Sequence, residues 1–170
     1  VLQVETPEGE ARIGSLSRVS SRYSLESGES YIVVSNIPSA DVAAMRLAGD
    51  EYPDWIDRYL QLPDSVPQRV YDLAQRVTAD SDNAYDKATA LEDYLRGYTY
   101  NEQIESPPAD VDRVDYFLFE MQEGYCNYYA SSMAVMARSV GIPARVAAGY
   151  AQGDWERDAE AYRVREHHSH

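Results

Sequence analysis

Residues 123–146 read EGYCNYYASSMAVMARSVGIPARV, and no other stretch restricts its own folding so tightly. Ala130, Met133, Ala137 and Val140 recur at helical spacing, which predicts a helix from Tyr125 to Val140 with one apolar face. Gly141 follows as the residue that closes a helix in the left-handed conformation, and Pro143 bars continuation. At the other end, two residues after Gly124, stands Cys126, the only cysteine among 170 residues. The rest of the chain must cover the apolar face of this helix while leaving its start as a turn.

The thiol has two readings. As a nucleophile it acts as thiolate, which the unsatisfied N–H groups and dipole of a helix's first turn stabilise. Gly124 would let the backbone approach a substrate closely, and the Cys126 N–H could donate to an oxyanion. As a structural residue, Cys126 continues the stripe of Ala130, Met133 and Ala137, and cysteine is among the most buried residue types. Catalysis also needs a base. The three histidines are His167, His168 and His170, all within the last four residues. Read as a strand, AYRVREHHSH puts His168 and His170 on one face and His167 with Ser169 on the other. The same cluster fits a solvated tail, a tag remnant or a metal patch in which a His-x-His pair and Cys126 supply three zinc ligands.

Upstream, residues 1–40 read as a β-rich appendage carrying RYSLES and the β-branched run SYIVVSNIP, and residues 41–170 as the core domain. Asp41 is the expected cap of a helix ended by Gly49, and a short helix begins at Pro53. Ser65 and Pro67 open a helix whose stripe is Val70, Leu73, Ala74 and Val77. Ala84, Ala88, Leu91 and Leu95 make another, stopped by Gly97. VDYFLFEMQ is expected to open at Asp115. ARVAAGYA and AYRVREHHSH read as strands joined by the turn QGDWERDA. Helices first and strands last predict an α+β domain.

The formal charge of −14 excludes the basic stripe that nucleic acid requires, and argues against docking on anionic lipid. A single cysteine allows no internal disulfide. Tyrosine is abundant, 15 against 2 phenylalanines, which reads as half-buried rings with polar tips to satisfy. The chain starts at Val1 without Met and stops at His170, so a longer parent is expected.

GYCNYYASSMAVMARSVGIPARVAAGY resembles the nucleophile motif of the transglutaminase-like superfamily, which has a papain-like fold: Gly-x-Cys, a helix, Gly-Ile-Pro-Ala-Arg, then Gly-Tyr. YRVREHHSH is similar to the strand that ends in its catalytic histidine. ALEDYLRGYTYN, VDYFLF and YPDWIDRYLQLP resemble its upstream segments, so the likeness covers roughly residues 42–170. It is nearest to the extracytoplasmic domains of prokaryotic membrane proteins.

That resemblance implies an α+β fold in which a helical part bearing the cysteine helix packs on an antiparallel sheet, here truncated at the C-terminus. It implies Cys126 as thiolate nucleophile and His170 as general base and acid, with no cofactor and no metal. The family's third residue, an orienting Asp on the next strand, would lie beyond His170, and Asp154 and Asp158 stand in the wrong place for it. The expected chemistry is acyl transfer on protein or peptide amides through a thioester. The alternatives are a cysteine peptidase or amidase, or an inactive binding domain, and transfer to water or amine depends on how well the site excludes water. Tyr98, Tyr100 and the loop at 101–114 are candidates to line the cleft, or else core and surface filler. Location outside the membrane, on a membrane-anchored parent, is likewise implied by the resemblance.

Overall fold

The computed structural model describes residues 3–6, 9–12 and 39–169. The chain divides into two units, Val1–Asp41 and Val42–His170. In the first unit β1 (Gln3–Thr6) and β2 (Gly9–Arg12) form an antiparallel pair. RYSLES and SYIVVSNIP lie outside the described residues.

The second unit opens with α1 (Val42–Arg46), after which Gly49 has φ +73°. A 3₁₀ turn then covers Asp54–Tyr59, capped by Pro53. The next helix, α2 (Gln68–Val77), starts after Pro67 rather than after the expected Ser65 cap. It buries Val70, Leu73 and Ala74, as its stripe predicts. In α3 (Ala84–Arg96) Leu91 and Leu95 are buried, and the Asn83 side chain caps the helix by accepting from the Asp86 N–H at 2.9 Å. The helix starts at Ala84 as its stripe predicts, and the Ser65 cap of α2 is one of two expected starts that lie elsewhere.

The other concerns α4 (Arg113–Tyr116). Asp112, not Asp115, caps it, accepting from the N–H groups of Val114 and Asp115. Asp115 instead pairs with Arg69 of α2 at 2.6 Å. The helix widens into a π turn over Phe117–Met121, so Phe117 and Leu118 both reach the core and are fully buried. Gln122 then leaves the helix in the left-handed conformation.

Two short parallel strands, β3 (Thr99–Tyr100) and β4 (Glu123–Gly124), pair Tyr100 with Gly124. α5 (Cys126–Ser139) follows at once. It packs on α2, α3, α4 and β4. Its buried residues are Ser132, Met136 and Ala137, while Ala130, Met133 and Val140 are half-buried. The helix is thus rotated slightly from the predicted stripe, because helices cover it on the Met136 side. Gly141 has φ +84°, and the Ile142 N–H reaches back to the Ala137 carbonyl at 2.9 Å, the left-handed closure expected.

The core is a sheaf of rings around Phe117, with Tyr98, Tyr128 and Tyr129 at 5.3, 5.7 and 5.1 Å. Tyr98 donates its hydroxyl to the Leu118 carbonyl at 2.6 Å, so at this residue the tyrosine-rich composition works as read, a half-buried ring with a satisfied tip. Beyond α5 the expected strand ARVAAGYA is irregular, with one antiparallel bridge from Tyr150 to Ser169. The expected turn instead contains β5 (Asp154–Glu156), which pairs antiparallel with β6 (Ala161–Arg163). The final predicted strand stops at Arg163, and Glu166–His168 form a 3₁₀ turn. The fold is α+β, with its strands in short pairs.

Candidate active site

Cys126 is the first residue of α5, so its backbone N–H belongs to the unsatisfied first turn. Gly124 is held there by need of space: a Cβ would lie 3.2 Å from the Tyr128 ring and 3.3 Å from Phe117. The β3–β4 register then fixes what faces the thiol. With Tyr100 opposite Gly124 and the Asn101 N–H donating to the Gly124 carbonyl at 2.8 Å, the Tyr100 ring is carried alongside Cys126.

The two residues share a cleft of about 340 Å³ with Asn127, Tyr129, Ala130 and the segment 146–148. The chain leading into that segment is anchored at Ala144 by Arg138 near the end of α5. Its guanidinium donates to the Ala144 carbonyl and, at 2.8 Å, to the Gln61 carbonyl, while the Ala144 N–H donates to the Tyr59 carbonyl at 3.1 Å. Sequence reasoning missed Arg138. Its signal was a cation in the last turn followed by Gly141 and Pro143, which fold the chain back over the helix end.

The Cys126 sulfur lies 3.8 Å from the Asn127 Oδ1. The Tyr100 hydroxyl donates to Glu102 at 3.3 Å. Burial of the phenol raises its pKa above the ordinary value, and the negative charges of Glu102 and of an ionised Cys126 add to this. The Cys126 backbone N–H opposes them. Tyr129 is raised too, first by burial and then by Tyr100. Its hydroxyl is buried with no partner among the described residues. Of the two expected cleft tyrosines, then, Tyr100 lines the cleft. Tyr98 faces the core, where burial and Tyr94 keep it protonated well above its usual range.

His170 lies outside the described residues. The described chain reaches Ser169, bridged to Tyr150, and the Ala151 N–H donates to the His168 carbonyl at 2.8 Å. His167 and His168 do not alternate across a strand but stack in the 3₁₀ turn with ring centroids 4.0 Å apart. Ligand atoms of Asp154, His167 and His168 come within 4.8 Å of one another, a different trio from one that includes Cys126. The chemistry of this set disfavours a metal. His168 Nδ1 accepts the Arg165 N–H at 2.8 Å, which puts the ring proton on Nε2, 3.6 Å from Asp154. Arg165 already neutralises that carboxylate at 2.8 Å.

Residues 71–170 match the model of the transglutaminase-like superfamily. The chain belongs to that family. This transglutaminase-like chain is 44% identical over 133 residues to the uncharacterized protein YebA of Bacillus subtilis (strain 168), covering 74% of this chain and 18% of that protein. It is 35% identical over 97 residues to a protein-glutamine gamma-glutamyltransferase of Pseudomonas aeruginosa, covering 57% of this chain and 14% of that enzyme. Among solved structures, the periplasmic domain of TgpA from Pseudomonas aeruginosa superposes with a TM-score of 0.60 at 32% identity. That match covers 68% of this chain and 40% of the solved one. The chain therefore spans less than a fifth of each of the two curated relatives. Among the described residues no helix is long and apolar enough to cross a membrane.

Proposed function

We propose that the chain carries a cysteine-dependent acyl transfer on protein or peptide amides, with Cys126 as nucleophile and His170 as proton carrier. The observation behind this reading is the position of Cys126. It opens a 14-residue helix at the wall of a cleft, in a chain of transglutaminase-like family. A glutamine γ-amide is the first donor to try, because one relative is a protein-glutamine gamma-glutamyltransferase.

In the first step the Cys126 thiolate attacks the amide carbon and the carbonyl π pair moves to oxygen. In this reading the Cys126 N–H and the Tyr100 O–H, turned away from Glu102, donate to that oxyanion, and Tyr100 keeps its proton throughout. The oxyanion collapses, the C–N bond breaks, and the amine leaves with a proton from imidazolium. An amine or a water then attacks the thioester, returning that proton to imidazole and releasing the thiolate. Tyr100 and Val146 in the cleft wall are 55% and 52% exposed. That openness favours hydrolysis as the second reading, since water reaches the thioester. Similarity to a periplasmic domain supports a site outside the cytoplasmic membrane, on a membrane-anchored parent.

The test is incorporation of a fluorescent primary amine into a glutamine peptide, with ammonia release measured in parallel. The proposal expects Cys126→Ala to abolish both and His170→Ala to lower both by about 10² or more. Ammonia release without incorporation would select the hydrolase. Peptide binding with neither reaction, equal in Cys126→Ala, would select a binding domain instead.

A further inference from the structure

The face of α5 next to the thiol holds a second cleft. Cys126 and Ala130 line the first. Asn127 and Ser131, one position on and so about 100° around the helix, line a cleft of about 190 Å³ with Arg113, Val114, Tyr125 and Tyr128. Asn127 belongs to both. Its polar lining is one guanidinium, three hydroxyls and one amide, with no carboxylate.

That composition is unusual for this protein. Acidic residues outnumber basic ones 29 to 15, and Arg46, Arg69, Arg96, Arg163 and Arg165 all pair with carboxylates. Arg113, like Arg58, Arg76 and Arg157, has no ion pair among the described residues, and of these four it is the one that lines this cleft. None of the acids beside it forms an ion pair with it. Asp112 caps α4, Asp115 is held by Arg69, and Asp110 lines a neighbouring depression that Arg113 and Asp112 also border, without an ion pair to Arg113. An unpaired guanidinium beside hydroxyl donors matches the planar geometry of a carboxylate.

We infer that this second cleft is a specificity subsite for a carboxylate on the acyl donor, with Arg113 as the residue that selects it. The inference rests on the reading of Cys126 as the nucleophile. A donor is favoured over the amine acceptor because Arg113 repels an ammonium group. The path around a quarter of the helix is roughly three extended residues long. The recognised group is thus an Asp or Glu side chain, or a C-terminal carboxylate, two to four residues from the amide attacked.

The experiment uses the chain with Cys126→Ala, so that no acylation occurs. It is titrated with peptide amides having a central glutamine, in which a single glutamate or its glutamine isostere occupies each position two to four residues to either side. Binding and the Arg113 Nε–Hε resonance are followed by NMR. The expected result is at least tenfold tighter binding for glutamate at one position, with the Arg113 resonance shifting. The preference disappears in Arg113→Ala and is partly kept in Arg113→Lys. Equal binding of all peptides, no binding, or a preference that survives Arg113→Ala overturns the subsite. Binding is read without the thiol, so its failure leaves the chemistry of Cys126 standing. Failure of amine incorporation with this preference intact would remove the chemistry and keep the subsite.

Discussion

Tyr98 bonds to the Leu118 carbonyl at 2.6 Å and to the Tyr94 hydroxyl at 3.2 Å. Tyr98→Phe leaves the carbonyl of the buried Leu118 without this donor and is expected to cost about 1 kcal/mol, read by urea unfolding. The linkage has a defined sign. Burial raises the folded-state pKa of Tyr98 above its ordinary 10.0, so its stabilisation is complete below pH 10 and declines as pH rises from there toward the folded value. Tyr98→Phe should therefore flatten the loss of stability above pH 10, and an unchanged alkaline limb would contradict this. Tyr100 is its functional counterpart. Tyr100→Phe should slow acylation of Cys126 by p-nitrophenyl acetate about tenfold or more, yet leave iodoacetamide alkylation unchanged, because displacement of iodide develops no oxyanion. The sequence could show that GYTYN holds two tyrosines on alternate sides, but not which side is core. That is decided by the π turn, which brings the Leu118 carbonyl to one of them.

Most of the helices were legible because their stripes and stops are local. Gly141 and Pro143 close α5 whatever packs on it, and Val70, Leu73 and Ala74 are buried as spaced. The choice of cap is less local. Asp112 and Asp115 both precede the apolar run, and Arg69, 46 residues away in α2, takes Asp115 and leaves Asp112 to cap. Asp112→Ala should cost about 1 kcal/mol by unfolding, as the loss of a side-chain cap does, and no change would contradict that role. The C-terminal strands were misread because alternation in RVREHHSH carries no information about where pairing stops. Gly153 governs the pairing that does occur. It has φ +83°, and a Cβ there would lie 2.4 Å from the Arg163 carbonyl oxygen. Gly153→Ala should disrupt β5–β6 and lower the thermal midpoint, whereas full tolerance would contradict the close approach of Gly153 to Arg163.

At the scale of the whole molecule, one helix start organises the second unit. Helices α2, α3 and α4 bury one side of α5, β3–β4 brings Tyr100 to its first turn, and Arg138 ties Ala144 to its end. The family and its α+β fold were legible from the motif around Cys126. The cleft was not, since its walls come from three distant segments. The same account makes Cys126 the one residue that receives an acyl group. The most direct measurement is single-turnover acylation by p-nitrophenyl acetate, with the acetyl group located by peptide mass spectrometry, in the chain and in His170→Ala. The account predicts a burst of one acetyl per chain on Cys126, slowed at least tenfold without His170. An acetyl group found elsewhere, or a Cys126 rate indifferent to His170, would contradict it.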